Sequence, residues 1–236
     1  MNTRRALAWC VHAYTGLGLA AAAMMVAAIL RGGPDGFEAA FWWMLVACVI
    51  DGTDGFLARR LEVKTVLPQF DGRKLDDIVD FHTYTSIPLL LIWRAGLLPS
   101  GFEPCLLAPL LASAYGFCQT DAKTPDGYFL GFPSYWNIIA LYLFWLHLGP
   151  WTALTICLVF AALTFVPVKY IYPTVGGPFS RLMLVGGAVY VLLLGALLLG
   201  LQWQRENLIW LSLSYPLAYL AASFIVTLST PNDRTS

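Results

Sequence analysis

Charged side chains are scarce in this chain. They make up 12% of its 236 residues, 14 cations against 14 acids, where a soluble domain carries about 25%. That scarcity excludes an ordinary water-soluble fold, and no nucleic-acid partner is expected. The five cysteines (Cys10, Cys48, Cys105, Cys118, Cys157) lack the spacing of a zinc ribbon or a disulfide framework and fall in apolar segments, where they read as small buried residues. The three histidines, His12, His82 and His147, are too few and too scattered to form a ligand set, and read as buried or interfacial. Internal repeats, low-complexity tracts and any stretch that could form a separate soluble domain are also missing. One membrane domain over residues 1–230 is therefore expected, with residues 231–236 as a short disordered tail.

What the chain has is apolar length. Hydrophobic residues reach 58% and the mean hydropathy is +0.68. A spanning helix needs roughly 20 apolar residues, and candidate spans fall at 6–30, 38–58, 75–94, 104–120, 134–149, 151–168, 181–201 and 207–228. The expected fold is all-α: a polytopic integral membrane helical bundle of about eight transmembrane helices, or six or seven if the short 104–120 and the closely spaced 134–149 and 151–168 do not all cross. Arg4 and Arg5 before an apolar run resemble the start of a secretory signal. The run exceeds a typical signal core and further spans follow, so an uncleaved first helix is expected.

With this layout Arg4, Arg5, Arg59, Arg60, Lys64, Arg73, Lys74, Lys123, Lys169, Arg181 and Arg234 share one side, leaving Arg31, Arg94 and Arg205 on the other. By the positive-inside rule the first side is cytoplasmic, and both termini lie there.

The acids are not spread evenly: seven of the 14 lie between Asp51 and Asp80. Ionised groups at bilayer depth are costly and usually functional. Asp51, Asp54, Gly55, Ala58 and Arg59 recur at i, i+3, i+4, i+7 and i+8, one face of a helix, and Gly72, Asp76, Asp80 and Tyr84 step by four along another. Asp77 points about 100° away from the second stripe and is left out. Asp71 is placed to cap the second helix. Two antiparallel helices could thus present four carboxylates to one another, a group that would repel strongly without a counter-charge.

Hard divalent cations bind carboxylate oxygen, and Mg²⁺ or Mn²⁺ typically works with substrate phosphates. Two such ions about 3.5–4 Å apart would clamp a displacement at phosphorus. Gly55 and Ala58 leave a groove beside the helix backbone, and Arg59 suits a phosphate oxygen. A solvated loop of mixed charge would account for Arg60, Glu62, Lys64, Arg73, Lys74 and Asp77, but not for the aligned stripes. A chance match of all eight spaced residues is on the order of 10⁻¹⁰ per start position.

Those eight residues, read as D-x-x-D-G-x-x-A-R followed by G-x-x-x-D-x-x-x-D, resemble the signature of the CDP-alcohol phosphatidyltransferases. The twelve residues between Arg59 and Gly72 exceed that family's usual spacer. With the later GFPSYWN stretch (Gly131–Asn137), they resemble the bacterial branch that makes phosphatidylcholine. The resemblance implies a metal-dependent enzyme of the bacterial inner membrane that moves a phosphatidyl group from CDP-diacylglycerol to choline and releases CMP. It also implies roles. Asp51, Asp54, Asp76 and Asp80 would hold two divalent cations, Mn²⁺ or Mg²⁺. Asp80 would be the base for the acceptor hydroxyl, and Gly55, Ala58, Arg59 and Gly72 would line the CDP pocket. No activated Ser or Cys neighbours the cluster, which favours direct displacement over a covalent intermediate.

Choline's quaternary ammonium donates no N–H bonds and is met by aromatic faces and carboxylates. Tyr84 is the first candidate, followed by Tyr115, Tyr135 and Trp136, with Ser134 and Asn137 as polar contacts. Aromatics at such places also serve as packing or interfacial anchors. Lys123, Lys169 and Arg181 are candidates for the lipid phosphate, although orientation signals alone would put cations there. Other acceptors, L-serine first, and a cation transporter are the competing functions. Clustering of the carboxylates near one surface disfavours a transport path, which would continue its polar groups across the membrane. Self-association as a homodimer is left open.

Overall fold

The computed structural model describes residues 3–120, 124, 127–172 and 179–229. Each of the eight expected apolar segments is helical. The first two are α1 (Thr3–Arg31) and α2 (Gly33–Arg60), followed by a short α3 (Val63–Val66) in the connecting turn. The third is one helical path made of α4 (Gly72–Asp80), a wider π-helical stretch at Phe81–Ser86, and α5 (Ile87–Arg94). A 3₁₀ turn at Glu103–Leu106 leads into α6 (Leu107–Cys118). Then come α7 (Trp136–Leu146), α8 (Pro150–Leu163), α9 (Ser180–Leu198) and α10 (Arg205–Ser229).

Among the described residues α1, α2, α9 and α10 are long and apolar enough to cross a membrane, and the segments of α6, α7 and α8 are shorter apolar helices. Large apolar side chains such as Leu182, Val185, Val189 and Leu192 of α9 stand exposed, as suits helices solvated by lipid. The molecule is a polytopic helical membrane protein.

The departure from helix is small. Tyr128–Leu130 (β1) pairs antiparallel with Lys169–Ile171 (β2), Phe129 opposite Tyr170. Both strands lie outside the expected spans, and aromatic and β-branched residues suit a pleated surface. Pairing also satisfies backbone groups that would otherwise be stranded.

The described chain forms two compact units: residues up to Gly96 together with Trp136–Leu141, and Leu97–Tyr135 together with Tyr142 onward. In the second, α6 packs on α8 and α9 on α10. There β2 is tied to α10, because Lys169 N donates to Thr227 Oγ1 (2.8 Å) and the Tyr219 hydroxyl to the Ile171 carbonyl (3.0 Å).

The first unit is organised by α1. Its buried residues run Ala8, Val11, His12, Thr15, Gly18, Ala21, Ala22, Met25, Ala28 and Ile29, a seam advancing about 3.5 residues at a time. The α2 seam runs Phe37, Ala40, Phe41, Met44, Ala47 and Asp54 at the same interval. Many of these are small, so the backbones approach closely, the usual basis of helix association in lipid. At the near end Arg4 pairs with Glu62 at 3.0 Å, an exposed bridge of little energetic weight. Helix α4 also docks on α1, its buried Val79 filling the space that Gly18 leaves.

A side chain at position 18 would collide with Val79, whereas position 16 on the same helix faces open space. Gly18→Ala should therefore lower stability by about 1–3 kcal/mol through overpacking. Gly16→Ala should be neutral or stabilising by up to about 1 kcal/mol. Thermal unfolding of both variants in one detergent checks the contrast, and equal midpoints would contradict it.

Candidate functional site

Asp51 of α2 and Asp76 and Asp80 of α4 each offer a carboxylate oxygen, and these oxygens all lie within 4.8 Å of one another. All three side chains are half-buried. Their convergence comes from the seams. Asp51 and Asp54 continue the α2 stripe that packs on α1, so they face the interior of the unit. The cap expected at Asp71 is formed, its carboxylate accepting from the Lys74 amide at 3.1 Å, and starts α4 in the register that turns Asp76 and Asp80 towards α2. The Val79–Gly18 contact then brings α4 against α1, where α2 already lies.

Asp54 stands apart from this group. It is buried, and its Oδ2 accepts a 2.7 Å hydrogen bond from the Thr15 hydroxyl on α1, with the Arg59 guanidinium close enough to act on its charge. Arg59 itself is exposed and folds back over Gly55, where an added methyl would sit 3.3 Å from its Nη1. Ala58 is half-buried against the apolar cluster of Ala8, Val11, Val63 and Leu67. Gly72 has a packing role that its spacing did not reveal: a Cβ there would lie 2.5 Å from His12 Cε1. The His12 ring is held at centroid distances of 5.8 Å from Trp9 and 4.4 Å from Phe70.

Tyr84 was expected one turn beyond Asp80 on the same stripe. It lies in the π-helical stretch, and its hydroxyl donates to Asp51 Oδ2 at 2.7 Å. Cys48, one turn before Asp51, also hydrogen-bonds Tyr84 and accepts from Asn137 Nδ2 at 3.2 Å. Tyr84 and Asn137 thus belong to the unit that carries the acids. Trp136 is in the same unit and completely buried.

Tyr115, Ser134 and Tyr135 belong to the second unit. Ser134 donates to Ser113 Oγ at 2.9 Å, and Tyr135 meets the rings of Phe132 and Tyr219. Tyr115 lies beside Phe165 at the rim of a cavity of about 320 Å³, also lined by Gln119, Gly131 and Thr164. Lys169 sits on β2 with its Nζ 5.7 Å from the Tyr128 ring centre, and Arg181 is exposed in the first turn of α9. Lys123 lies outside the described residues.

Sequence reasoning missed Thr15, and the contacts that His12 and Cys48 make. A readable signal existed for the first two, since both are polar residues on the buried seam of α1.

An all-oxygen set of converging carboxylates suits a hard divalent ion and little else. Without one, three negative groups at this spacing would repel one another strongly. The residues present fit a metal.

Residues 12–166 match the family model described as CDP-alcohol phosphatidyltransferase. The chain is 37% identical over 230 residues to a phosphatidylcholine synthase of Legionella pneumophila, covering 93% of this chain and 88% of that protein. It is 40% identical over 198 residues to the one from Legionella bozemanae (80% and 90% covered). Against that of Pseudomonas aeruginosa it is 41% identical over 170 residues (72% and 70%).

Thr15→Val keeps the shape of the side chain but removes the donor to a buried carboxylate. It should cost about 1–3 kcal/mol, and Thr15→Ser should retain most of the wild-type stability. Denaturant titration monitored by tryptophan fluorescence checks this; no loss in the valine variant would contradict it.

Proposed function

Since the chain belongs to the CDP-alcohol phosphatidyltransferase family, we propose that it is a phosphatidylcholine synthase, transferring the phosphatidyl group of CDP-diacylglycerol to choline and releasing CMP. The observation that carries this reading is the convergence of Asp51, Asp76 and Asp80 from two helices of a membrane-embedded unit. The relatives named for this activity supply the choice of acceptor.

In this reading Asp51, Asp54, Asp76 and Asp80 hold two divalent cations, Mn²⁺ or Mg²⁺. Such ions supply positive charge to a pyrophosphate and to a departing phosphate oxygen. The remaining work falls to the chain. The exposed Arg59, which lies over Gly55, binds an oxygen of the diphosphate. Gly55 and Ala58 keep the α2 surface low enough for the nucleotide to lie against it, and Gly72, packed on His12, is proposed to line the same pocket. Asp80 accepts the proton of the choline hydroxyl as its oxygen attacks phosphorus. The new P–O bond forms as the bond to CMP breaks, and the electron pair leaves on CMP.

On the acceptor side, the Tyr84 ring and Asn137 lie beside the acids, and an aromatic face with carboxylates around it is the chemistry a quaternary ammonium selects. Tyr115, Ser134 and Tyr135 are further proposed acceptor contacts. Lys169 and Arg181, with Lys123, are proposed to meet the lipid phosphate. The cation distribution supports a cytoplasmic location for this chemistry and both termini, in a bacterial inner membrane.

Incubating purified protein with CDP-diacylglycerol, Mn²⁺ and one labelled acceptor at a time should give product from choline and no product from serine or glycerol phosphate. Product from serine alone would overturn the acceptor assignment. Chelation should abolish CMP release and added Mn²⁺ restore it. Asp80→Asn should lower turnover by about 10²–10⁴-fold while CDP-diacylglycerol still binds. Full turnover in that variant would remove Asp80 from its role.

A further inference from the structure

A helix that has just delivered Asp76 and Asp80 would, if it stayed regular, carry its next residues on around the same cylinder. Here it widens over Phe81–Ser86, and the Ile87 amide bonds the His82 carbonyl five residues back. The physical cause lies one residue further on. Pro88 has no amide hydrogen, and in a regular α-helix its ring would strike the carbonyl four residues earlier, that of Tyr84. An extra residue in the turn relieves this contact and rotates the α4 portion of the path by about 100° relative to α5. Thr83 steadies the wide turn by bonding the Val79 carbonyl at 3.1 Å. The outcome is specific: the Tyr84 hydroxyl ends 2.7 Å from Asp51 Oδ2, on the neighbouring helix.

We infer that Tyr84 is a positioning residue for Asp51, aimed by the Pro88-induced wide turn, and that its hydroxyl sets the affinity of the acidic group for its divalent cation. A carboxylate on a single rotatable bond sweeps a wide arc. A phenol donating to one of its oxygens fixes the plane of the group. Hydrogen bonds of this outer kind typically control metal affinity by about 10–100-fold. They also cross-link α2 to the α4–α5 path, so the distance between Asp51 and its two partners no longer depends on backbone packing alone. Cys48, itself bonded by Asn137, also hydrogen-bonds the phenol. The inference rests on the proposed metal role of Asp51, Asp76 and Asp80. It separates the hydroxyl of Tyr84, which acts on Asp51, from its ring, which is left to the acceptor.

The test is a titration of detergent-purified enzyme with Mn²⁺, reading the free ion by electron paramagnetic resonance. Tyr84→Phe, which removes one oxygen and keeps the ring, should raise the Mn²⁺ dissociation constant about 10–100-fold. The KM for choline, measured at saturating Mn²⁺, should change by less than the Mn²⁺ dissociation constant does. Pro88→Ala should weaken Mn²⁺ in the same direction, and the double variant should bind no more weakly than Tyr84→Phe alone.

Unaltered Mn²⁺ affinity in Tyr84→Phe overturns the inference, as does a raised choline KM with unaltered Mn²⁺ affinity. Additive losses in the double variant overturn the part assigned to the wide turn. A wild-type protein that binds no Mn²⁺ fails the underlying metal reading instead, so the two failures are told apart.

Discussion

Carboxylates gathered within 4.8 Å of one another in a largely apolar unit are the arrangement that everything around them has to tolerate. Each ionised group would prefer water, and each raises the cost of ionising the next. A fold keeps such a group only if the surrounding helices are held by something stronger. In this protein that is the seam of small residues between α1 and α2, with Val79 set against Gly18 to bring up α4. The acids converge because their helices pack tightly beside them, and the repulsion is left for a cation to offset.

Helix α1 therefore matters more than its lack of acids suggests. It gives a hydroxyl to Asp54, a cavity to Val79 and a ring against Gly72. Through these contacts one helix sets the register of α2 and α4, on which the geometry of a phosphoryl displacement would depend. A change in α1 far from any reacting atom can thus misplace a catalytic carboxylate, and misplacement of about 1 Å can cost about 10²-fold in rate.

The parts of this arrangement that obey local rules were readable in the chain. Asp51, Asp54, Asp76 and Asp80 recur at helical spacing, and Asp71 sits where a helix must be capped, so the two acidic stripes could be drawn from the residues alone. The apolar segments likewise became helices where hydropathy placed them. What could not be drawn depends on partners distant in sequence. Thr15 lies 39 residues from Asp54, and Asn137 lies 89 from Cys48. Spacing along one helix says nothing of which neighbour will meet it. The wide turn at Phe81–Ser86 falls between these cases. Pro88 announces that a regular helix cannot pass, yet whether the chain kinks, breaks or widens is decided by the packing of Thr83, Tyr84 and Ile87. The β1–β2 ribbon escaped notice because each strand has three residues and acquires its identity only from the other.

The central claim is that Asp51, Asp76 and Asp80 share a divalent cation. Anomalous diffraction from crystals grown with Mn²⁺ tests it most directly. A peak among the oxygens of those three carboxylates, lost when Asp76 is replaced by asparagine, is the expected result. Peaks only elsewhere on the molecule, or carboxylates turned away from one another with no ion between them, would contradict it.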